Sequence, residues 1–193
     1  VVHSTKVNGK TDQTVKVPSE VPAGWKLVDG QTVPGELAFG PDGHANVTVK
    51  IAHQHLIINP ENPVDNPAGV TKNDLNKTIA RTINVRPPHG DVKMIKQTVH
   101  LTRTADVDVV TKQVVYSKWT TSTWESYTAP QEAGYTPTLS KVNAVTVTDQ
   151  TKPATVDISY AANPQKTQIN YVDDDNQQKL VTTVALAGKT DQT

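Results

Sequence analysis

The hexapeptide GKTDQT occurs twice in this chain, at residues 9–14 and again at residues 188–193. The eight residues before each copy also align, with VVHSTKVN at 1–8 and LVTTVALA at 180–187. The offset between the copies, 188 minus 9, is 179 residues, so one period nearly fills a chain of 193 residues. Self-similarity at a fixed period is typical of tandem arrays. We therefore interpret the chain as one repeat followed by the start of the next; the alternative is two similar β-hairpins inside one closed protein.

Composition favours strands and excludes several classes of function. The abundance of Val and Thr, with 35% hydrophobic and 5% aromatic residues, favours a β-rich chain with a largely polar surface. Lys plus Arg and Asp plus Glu number 19 each, so no basic footprint for a nucleic acid partner is present. The absence of cysteine excludes disulfides, zinc ribbons and thiol nucleophiles. No apolar run approaches the roughly 20 residues of a membrane span, so membrane insertion is not expected.

Strand signals dominate the chain. In TVDISY, Val156, Ile158 and Tyr160 fall on one face and polar residues fall on the other, which is the period of a half-buried strand. The segment 75–85 has apolar residues at helical spacing, but its β-branched content favours a strand. The predicted strands are 47–51, 75–85, 92–102, 107–116, 144–148 and 155–160.

A second, shorter repeat lies inside the first. VPSEVPAGW at 17–25 resembles APQEAGY at 129–135, since each runs through Pro and Glu to a Gly followed by a large aromatic residue. A strand signal begins 21 residues after the first glycine, at 45–51, and 20 residues after the second, at 154–160. Pro can open a short helix, Glu suits its first turn and Gly ends it. The order hairpin, short helix or turn, hairpin predicts a β-grasp, or ubiquitin-like, unit in each half.

A family resemblance follows from these segments. INYVDDDNQQKLVTTVALAGKTDQT at 169–193 and the residues at 15–54 are similar to the mucus-binding domain of Mub-type adhesins of gut lactic-acid bacteria. The Thr-rich segment 114–142 resembles the other half of a long Mub repeat. The resemblance implies an extracellular, cell-wall-anchored adhesin of a Gram-positive bacterium. It implies mucin glycoproteins as partners, immunoglobulins for some repeats, and neighbouring repeats of the same chain.

The repeats and the resemblance together predict the fold class and the domains. We expect a mainly β (α+β) fold with two β-grasp domains in an elongated tandem repeat. The predicted divisions are a mucus-binding β-grasp-like domain lacking its first strand at 1–58, a Pro- and Asn-rich linker at 59–69, a second, larger β-grasp-like domain at 70–163, and the first hairpin of the next copy at 164–193.

Catalytic and metal chemistry find little support in the sequence. The histidines are scattered and no nucleophile motif is present, so we expect no enzyme, no catalytic residue and no cofactor. His53 and His55 share a strand face, but no third metal ligand is evident beside them. The acidic tip at 173–175 lacks the Gly and the distal Glu of an EF-hand loop, so a solvated turn is predicted there.

One aromatic cluster is the predicted ligand-binding site. If the segment is one strand, parity places Tyr116 and Trp124 on one face and Trp119 and Tyr127 on the other. We expect one pair in the core and the other exposed as a platform for sugar rings or a protein partner. Partial burial under a loop is the alternative.

The function predicted from these features is weak binding per repeat, with avidity supplied by the linked copies. The alternative is a passive stalk or spacer module. Immunoglobulin binding is predicted to use main-chain pairing at an edge within 75–116. Residues 166–193 are expected either to pair beside residues 1–8 of a neighbouring molecule or to stand as an independent hairpin.

Overall fold

The computed structural model describes residues 2–18, 20–43 and 45–192. These residues form eighteen strands, one short α-helix and one 3-10 turn at Asp174–Asn176, which confirms the mainly β fold class. In chain order the elements are β1 (Thr14–Lys16), β2 (Trp25–Leu27), β3 (Glu36–Ala38), β4 (Ile51–His53), β5 (His55–Ile58), α1 (Lys72–Leu75), β6 (Asn76–Val85), β7 (Lys93–Thr102), β8 (Ala105–Asp108), β9 (Val114–Tyr116), β10 (Ser122–Trp124), β11 (Tyr127–Thr128), β12 (Tyr135–Pro137), β13 (Lys141–Val142), β14 (Val145–Val147), β15 (Ala154–Ile158), β16 (Tyr160–Ala162), β17 (Pro164–Asp173) and β18 (Lys179–Lys189).

The chain divides into two compact units, each built from two segments. Unit 1 comprises Val1–Asn76 and Thr102–Lys118, and unit 2 comprises Lys77–Leu101 and Trp119–Thr193. The tandem arrangement of two β-grasp domains, and the domain boundaries given above, stay predictions.

Unit 1 holds one hydrophobic core beneath a three-stranded antiparallel sheet in the order β5-β8-β9. Two further antiparallel pairs, β1 with β3 and β2 with β4, complete its strands. The helix α1 begins at a capping box in which the backbone N–H of Thr71 donates to the carboxylate of Asp74 at 2.8 Å. The buried core residues are Ile58, Val70, Leu75, Ala105 and Val107.

Strand β6 organises unit 2. It lies between β15, which is parallel to it, and β7. Because alternate side chains of a strand share a face, the inward side chains of β6 belong to two hydrophobic clusters, one after the other along the strand. Antiparallel pairs cover these clusters, namely β10 with β14, β11 with β13 and β12 with β16. The first cluster comprises Ile79, Val99, Leu101, Trp124 and Val147, and the second comprises Ile83, Val85, Ala129, Val142 and Ile158.

One inward position of β6 carries a charge. Arg81 is only 3% exposed, and its guanidinium lies 5.4 Å from the centre of the Trp124 ring. Its Nε and Nη2 atoms donate to the side-chain oxygen of Gln97 at 3.0 and 2.6 Å. Nη1 donates to the carbonyl of Asn143 at 3.0 Å, and Nη2 also donates to that of Glu125 at 2.8 Å. The buried cation is therefore compensated by hydrogen bonds, as such groups must be.

Three of the predicted strands need correction. The strand predicted at 47–51 is wrong except at its last residue, because β4 runs from Ile51 to His53. The single strand predicted at 107–116 is a hairpin of β8 and β9. The carboxylate of Asp108 accepts from the backbone N–H of Val110 at 2.9 Å and of Thr111 at 3.0 Å, which closes the turn. The strands predicted at 75–85, 92–102 and 144–148 are confirmed by β6, β7 and β14, whereas the strand predicted at 155–160 divides at Ser159 into β15 and the start of β16.

Of the short helix or turn predicted at 17–25 and at 129–135, the described residues form a turn in both places, so the internal repeat is also structural. Each segment ends in a turn with a glycine at positive φ, 84° at Gly24 and 78° at Gly134. In both copies the glycine carbonyl accepts a backbone hydrogen bond of 2.8 Å from the residue after the partner strand.

The Pro- and Asn-rich segment 59–69 has no regular secondary structure. The side chain of Asn66 bonds to both backbone groups of Val70, at 2.9 and 3.0 Å, and Ala68 packs against the core of unit 1. Its role as a linker between domains stays a prediction.

The terminal strands β17 and β18 pair with each other as a long hairpin, and both are exposed along most of their length. The acidic tip is the 3-10 turn, in which Asp173 accepts from the backbone N–H of Asp175 at 3.1 Å. The predicted solvated turn is thus confirmed, while exchange of the hairpin between molecules stays a prediction.

Candidate functional site

Tyr116 is the member of the predicted aromatic site that is held at the surface. It ends β9 in unit 1 and is 38% exposed. The guanidinium carbon of Arg103 lies 3.8 Å from the centre of its ring, which is a close cation–π contact. Arg103 is itself anchored, because its Nε donates to the carbonyl of Asp74 at 2.8 Å and its backbone N–H donates to that of Leu75 at 3.0 Å. The tyrosine ring is therefore pre-oriented with part of its surface open to solvent.

The other three predicted residues contribute to the interior of unit 2. Trp124 is 3% exposed and belongs to the first cluster, and the half-buried Trp119 packs against the same cluster. Tyr127 is half-buried against the second cluster. The predicted parity is wrong because β9, β10 and β11 are separate strands in separate sheets. Trp124 presents no ring surface to a ligand, and the ligand-binding role of Tyr116, Trp119 and Tyr127 stays a prediction.

Two histidine–aspartate pairs occupy neighbouring positions of unit 1. His53 Nδ1 lies 2.6 Å from Asp108, and His55 Nδ1 lies 2.9 Å from Asp106. The ring of Trp25 meets that of His53 edge to face with centroids 4.5 Å apart. Sequence reasoning misses this group, although Trp25 is the aromatic residue of the internal repeat, and β2 pairs it with His53.

Asp108 holds a charge in this group. Its burial alone would raise its pKa, but hydrogen bonds from Thr111, His53 and Val110 outweigh burial and hold the pKa of Asp108 well below its usual range. The carboxylate is therefore ionised at neutral pH, where it both closes the β8–β9 turn and positions the His53 ring.

Among residues 2–18, 20–43 and 45–192, no group of three or more His, Cys, Asp or Glu side chains is arranged to hold a metal ion. Within that part of the chain, no helix has the length and apolar character needed to cross a membrane.

Strand β9 is an edge of its sheet. In the described structure it pairs only with β8, and Val115 at its centre is exposed. Two backbone hydrogen bonds, one at each end of the pairing, fix which backbone groups of β9 face β8. The N–H of Asp108 donates to the carbonyl of Gln113, and the N–H of Ser117 donates to the carbonyl of Thr104. Inward and outward backbone groups alternate along an antiparallel pair. The N–H groups of Val114 and Tyr116 therefore point away from β8.

Comparison with known proteins agrees with this architecture. The sequence profile of the Muc B2-like domain matches residues 70–164. The solved structure of Mub-RV is 23% identical, with a TM-score of 0.55 and coverage of 81% of this chain and 88% of that one. The type 2 repeat of the mucus binding protein MUB from Lactobacillus reuteri is 24% identical, with coverage of 81% and 89% and a TM-score of 0.42. The mucin-binding domain of Spr1345 from Streptococcus pneumoniae is 26% identical, with coverage of 45% and 91% and a TM-score of 0.41.

No curated protein matches the chain significantly. Residues 70–164 are a Muc B2-like domain on a mainly β fold like that of Mub-RV. The chain belongs to the mucus-binding repeats of the Mub and MucBP type, which confirms the resemblance found in the sequence.

Proposed function

We propose that this chain is an extracellular adhesin repeat that binds mucin glycoproteins and acts in a tandem array on the surface of a bacterium, anchored to its cell wall. Membership of the mucus-binding repeats supports this proposal. The sequence-level repeat with an offset of 179 residues supports the array. A binding module, rather than an enzyme, also agrees with the absence of any catalytic constellation in the sequence.

The contact between Tyr116 and Arg103 is the observation that supports a specific binding residue. A sugar ring gains most from an aromatic ring that is already fixed in place, because little side-chain entropy is then lost on binding. The guanidinium of Arg103 contacts one part of the Tyr116 ring, and the part of the ring that is still exposed can stack against a sugar. We therefore assign the sugar-stacking role to Tyr116 and not to the buried Trp124.

Replacing Tyr116 by alanine is expected to weaken binding of the single chain to immobilised mucin about five- to tenfold, because the stacking surface is removed. Surface plasmon resonance on purified mucin measures the effect. Tyr171→Ala is the matched control. Tyr171 is 53% exposed on β17, and its replacement removes an aromatic ring of the same size. Equal losses in both variants, or none in Tyr116→Ala, would reject the assignment. Absence of mucin binding by the parent chain would instead favour the passive stalk.

Immunoglobulin binding is a second candidate function, favoured by the edge strand β9. Its outward N–H groups can pair with an extended strand of a partner, and immunoglobulin domains are sheets with edges of their own. Main-chain pairing tolerates many partner side chains, so a single side-chain change at this edge has a small effect.

Proline at Val114 is expected to abolish immunoglobulin binding through β9, because it removes an outward donor while the bonds to β8 remain. Proline at Val115 is the contrasting variant, since it removes a bond to β8 and so damages the sheet itself. Surface plasmon resonance with Fab and Fc fragments measures binding, and circular dichroism checks the fold. Full binding by a folded Val114→Pro chain would exclude this edge.

A further inference from the structure

The first five residues of the repeated hexapeptide form the same turn at 9–13 and at 188–192. In the first copy the backbone N–H of Lys10 donates to the side chain of Gln13 at 2.8 Å, and the corresponding bond in the second copy is 2.9 Å. The backbone N–H of the glutamine returns to the lysine carbonyl at 3.0 and 3.1 Å. The aspartate of each copy has positive φ, 64° in the first and 57° in the second. GKTDQT therefore encodes one defined turn, independent of its surroundings.

In unit 2 this turn is docked. The carboxylate of Asp191 accepts from the hydroxyl of Tyr135 at 2.6 Å and lies 2.9 Å from Nε2 of His89. The backbone N–H of Thr190 donates to the carbonyl of Asn163 at 3.0 Å. Hydrogen bonds to a charged group are stronger than neutral ones, so the aspartate is the centre of this contact.

A glycine makes room for the turn. A Cβ atom on Gly134 would lie 2.6 Å from the methyl carbon of Thr190, so the threonine packs where any other side chain would stand. The positive φ of 78° at this position also favours glycine. We call His89, Gly134, Tyr135 and Asn163 the receiving surface.

The first copy of the turn is bonded through its backbone to Phe39, since the N–H of Asp12 donates to the Phe39 carbonyl at 2.7 Å and the N–H of Phe39 donates to the Gln13 carbonyl at 3.0 Å. Its outer face, including the Asp12 side chain, is open to solvent. Gly9 lies against the Phe39 ring, but Gly9 and Thr11 are exposed, whereas the corresponding glycine and threonine of the second copy are half-buried. No hydrogen bond to the Asp12 carboxylate is found among the described residues. The counterpart of the receiving surface in unit 1 is already filled, because a Cβ on Gly24 would meet the side chains of Val110 and Val109 at 3.3 and 3.4 Å.

We propose that the GKTDQT turn is a clasp between successive repeats. The receiving surface binds the turn of the following copy of this chain, and the open turn at 9–13 is bound by the receiving surface of the preceding copy. Each repeat then offers one turn and one receiving surface, which is a head-to-tail contact that extends as a line. The inference rests on the tandem array proposed above, but it is independent of what the array binds.

The first experiment uses the chain itself. Asp191→Asn is expected to speed hydrogen exchange of the Thr190 amide about five- to tenfold, because the turn loses its charged contact. Asp12→Asn is the matched control, since it makes the same change in the open copy and should leave that amide unchanged. Gly134→Ala should act like Asp191→Asn, with Gly24→Ala as its control. Unchanged Thr190 exchange in both Asp191→Asn and Gly134→Ala, measured by NMR, would overturn the clasp.

The second experiment joins two repeats. A chain of residues 1–179 followed by residues 1–193 places the GKTDQT turn of the second copy where residues 188–193 stand in the first. Asp12→Asn in the second copy is expected to broaden the distance distribution between spin labels placed in the two copies. The same substitution in the first copy should not change it. An equal effect of the two, or no effect of either, would refute the proposal.

Mucin binding of the same chains separates the two proposals. If mucin binding is intact but the clasp is absent, the clasp proposal fails. If the clasp forms in a chain that binds no mucin, the proposed mucin binding fails.

Discussion

Replacing Arg81 by methionine is expected to lower the free energy of unfolding by about 3 kcal/mol or more, the largest stability loss among the single substitutions considered for this chain. Methionine keeps much of the side-chain volume but provides no donor. The side-chain oxygen of Gln97 and the carbonyls of Asn143 and Glu125 then lose their charged partner in the interior. Urea denaturation followed by circular dichroism measures the loss.

Arg86→Met is the matched control for this prediction. Arg86 is largely exposed and lies 3.6 Å from an exposed carboxylate, an arrangement worth well under about 1 kcal/mol. If both arginine variants lose the same stability, the hydrogen bonds of Arg81 do not hold unit 2 together. A large loss confined to Arg81 would show that a single cation joins β6 to the loops at 125 and 143.

Two linked copies are expected to bind a mucin-coated surface about 100-fold more tightly than one copy, because the second contact forms at a high effective concentration. The two-repeat chain described above provides the measurement. Tyr116→Ala in one copy should lower this gain to about 10- to 20-fold over the single repeat, since it weakens one of the two contacts about five- to tenfold, while Tyr171→Ala should leave the gain unchanged. An identical apparent affinity for one and two copies would argue against multivalent binding and for a spacer.

The parts of the fold that sequence reasoning predicts correctly are those whose signal is local. Strand β6 is predicted from its own β-branched residues, and the alternation of Val156 and Ile158 with polar residues predicts β15. The β8–β9 turn escapes prediction because it contains no Gly or Pro. Its geometry comes from the carboxylate of Asp108 and from Lys112 at a φ of 62°, and neither is visible as a turn signal.

The aromatic site is only partly predictable, because burial is decided by residues far away in the sequence. Trp124 becomes core through Val99, Val147 and the guanidinium of Arg81, none of which lies within its own strand. Tyr116 stays at the surface through Arg103, thirteen residues earlier in the chain, since 116 minus 103 is 13. Aromatic spacing alone cannot distinguish these two outcomes.

The parallel pairing of β6 with β15 has a mechanical consequence for the domain at 70–164. The two strands lie near opposite ends of the domain at 70–164 and are joined over five residue pairs, from Arg81 with Ala154 to Val85 with Ile158. Tension along the chain pulls the start of β6 and the end of β15 in opposite directions along the strand axis. The hydrogen bonds between the two strands are then loaded together in shear and must break at the same time, instead of one after another.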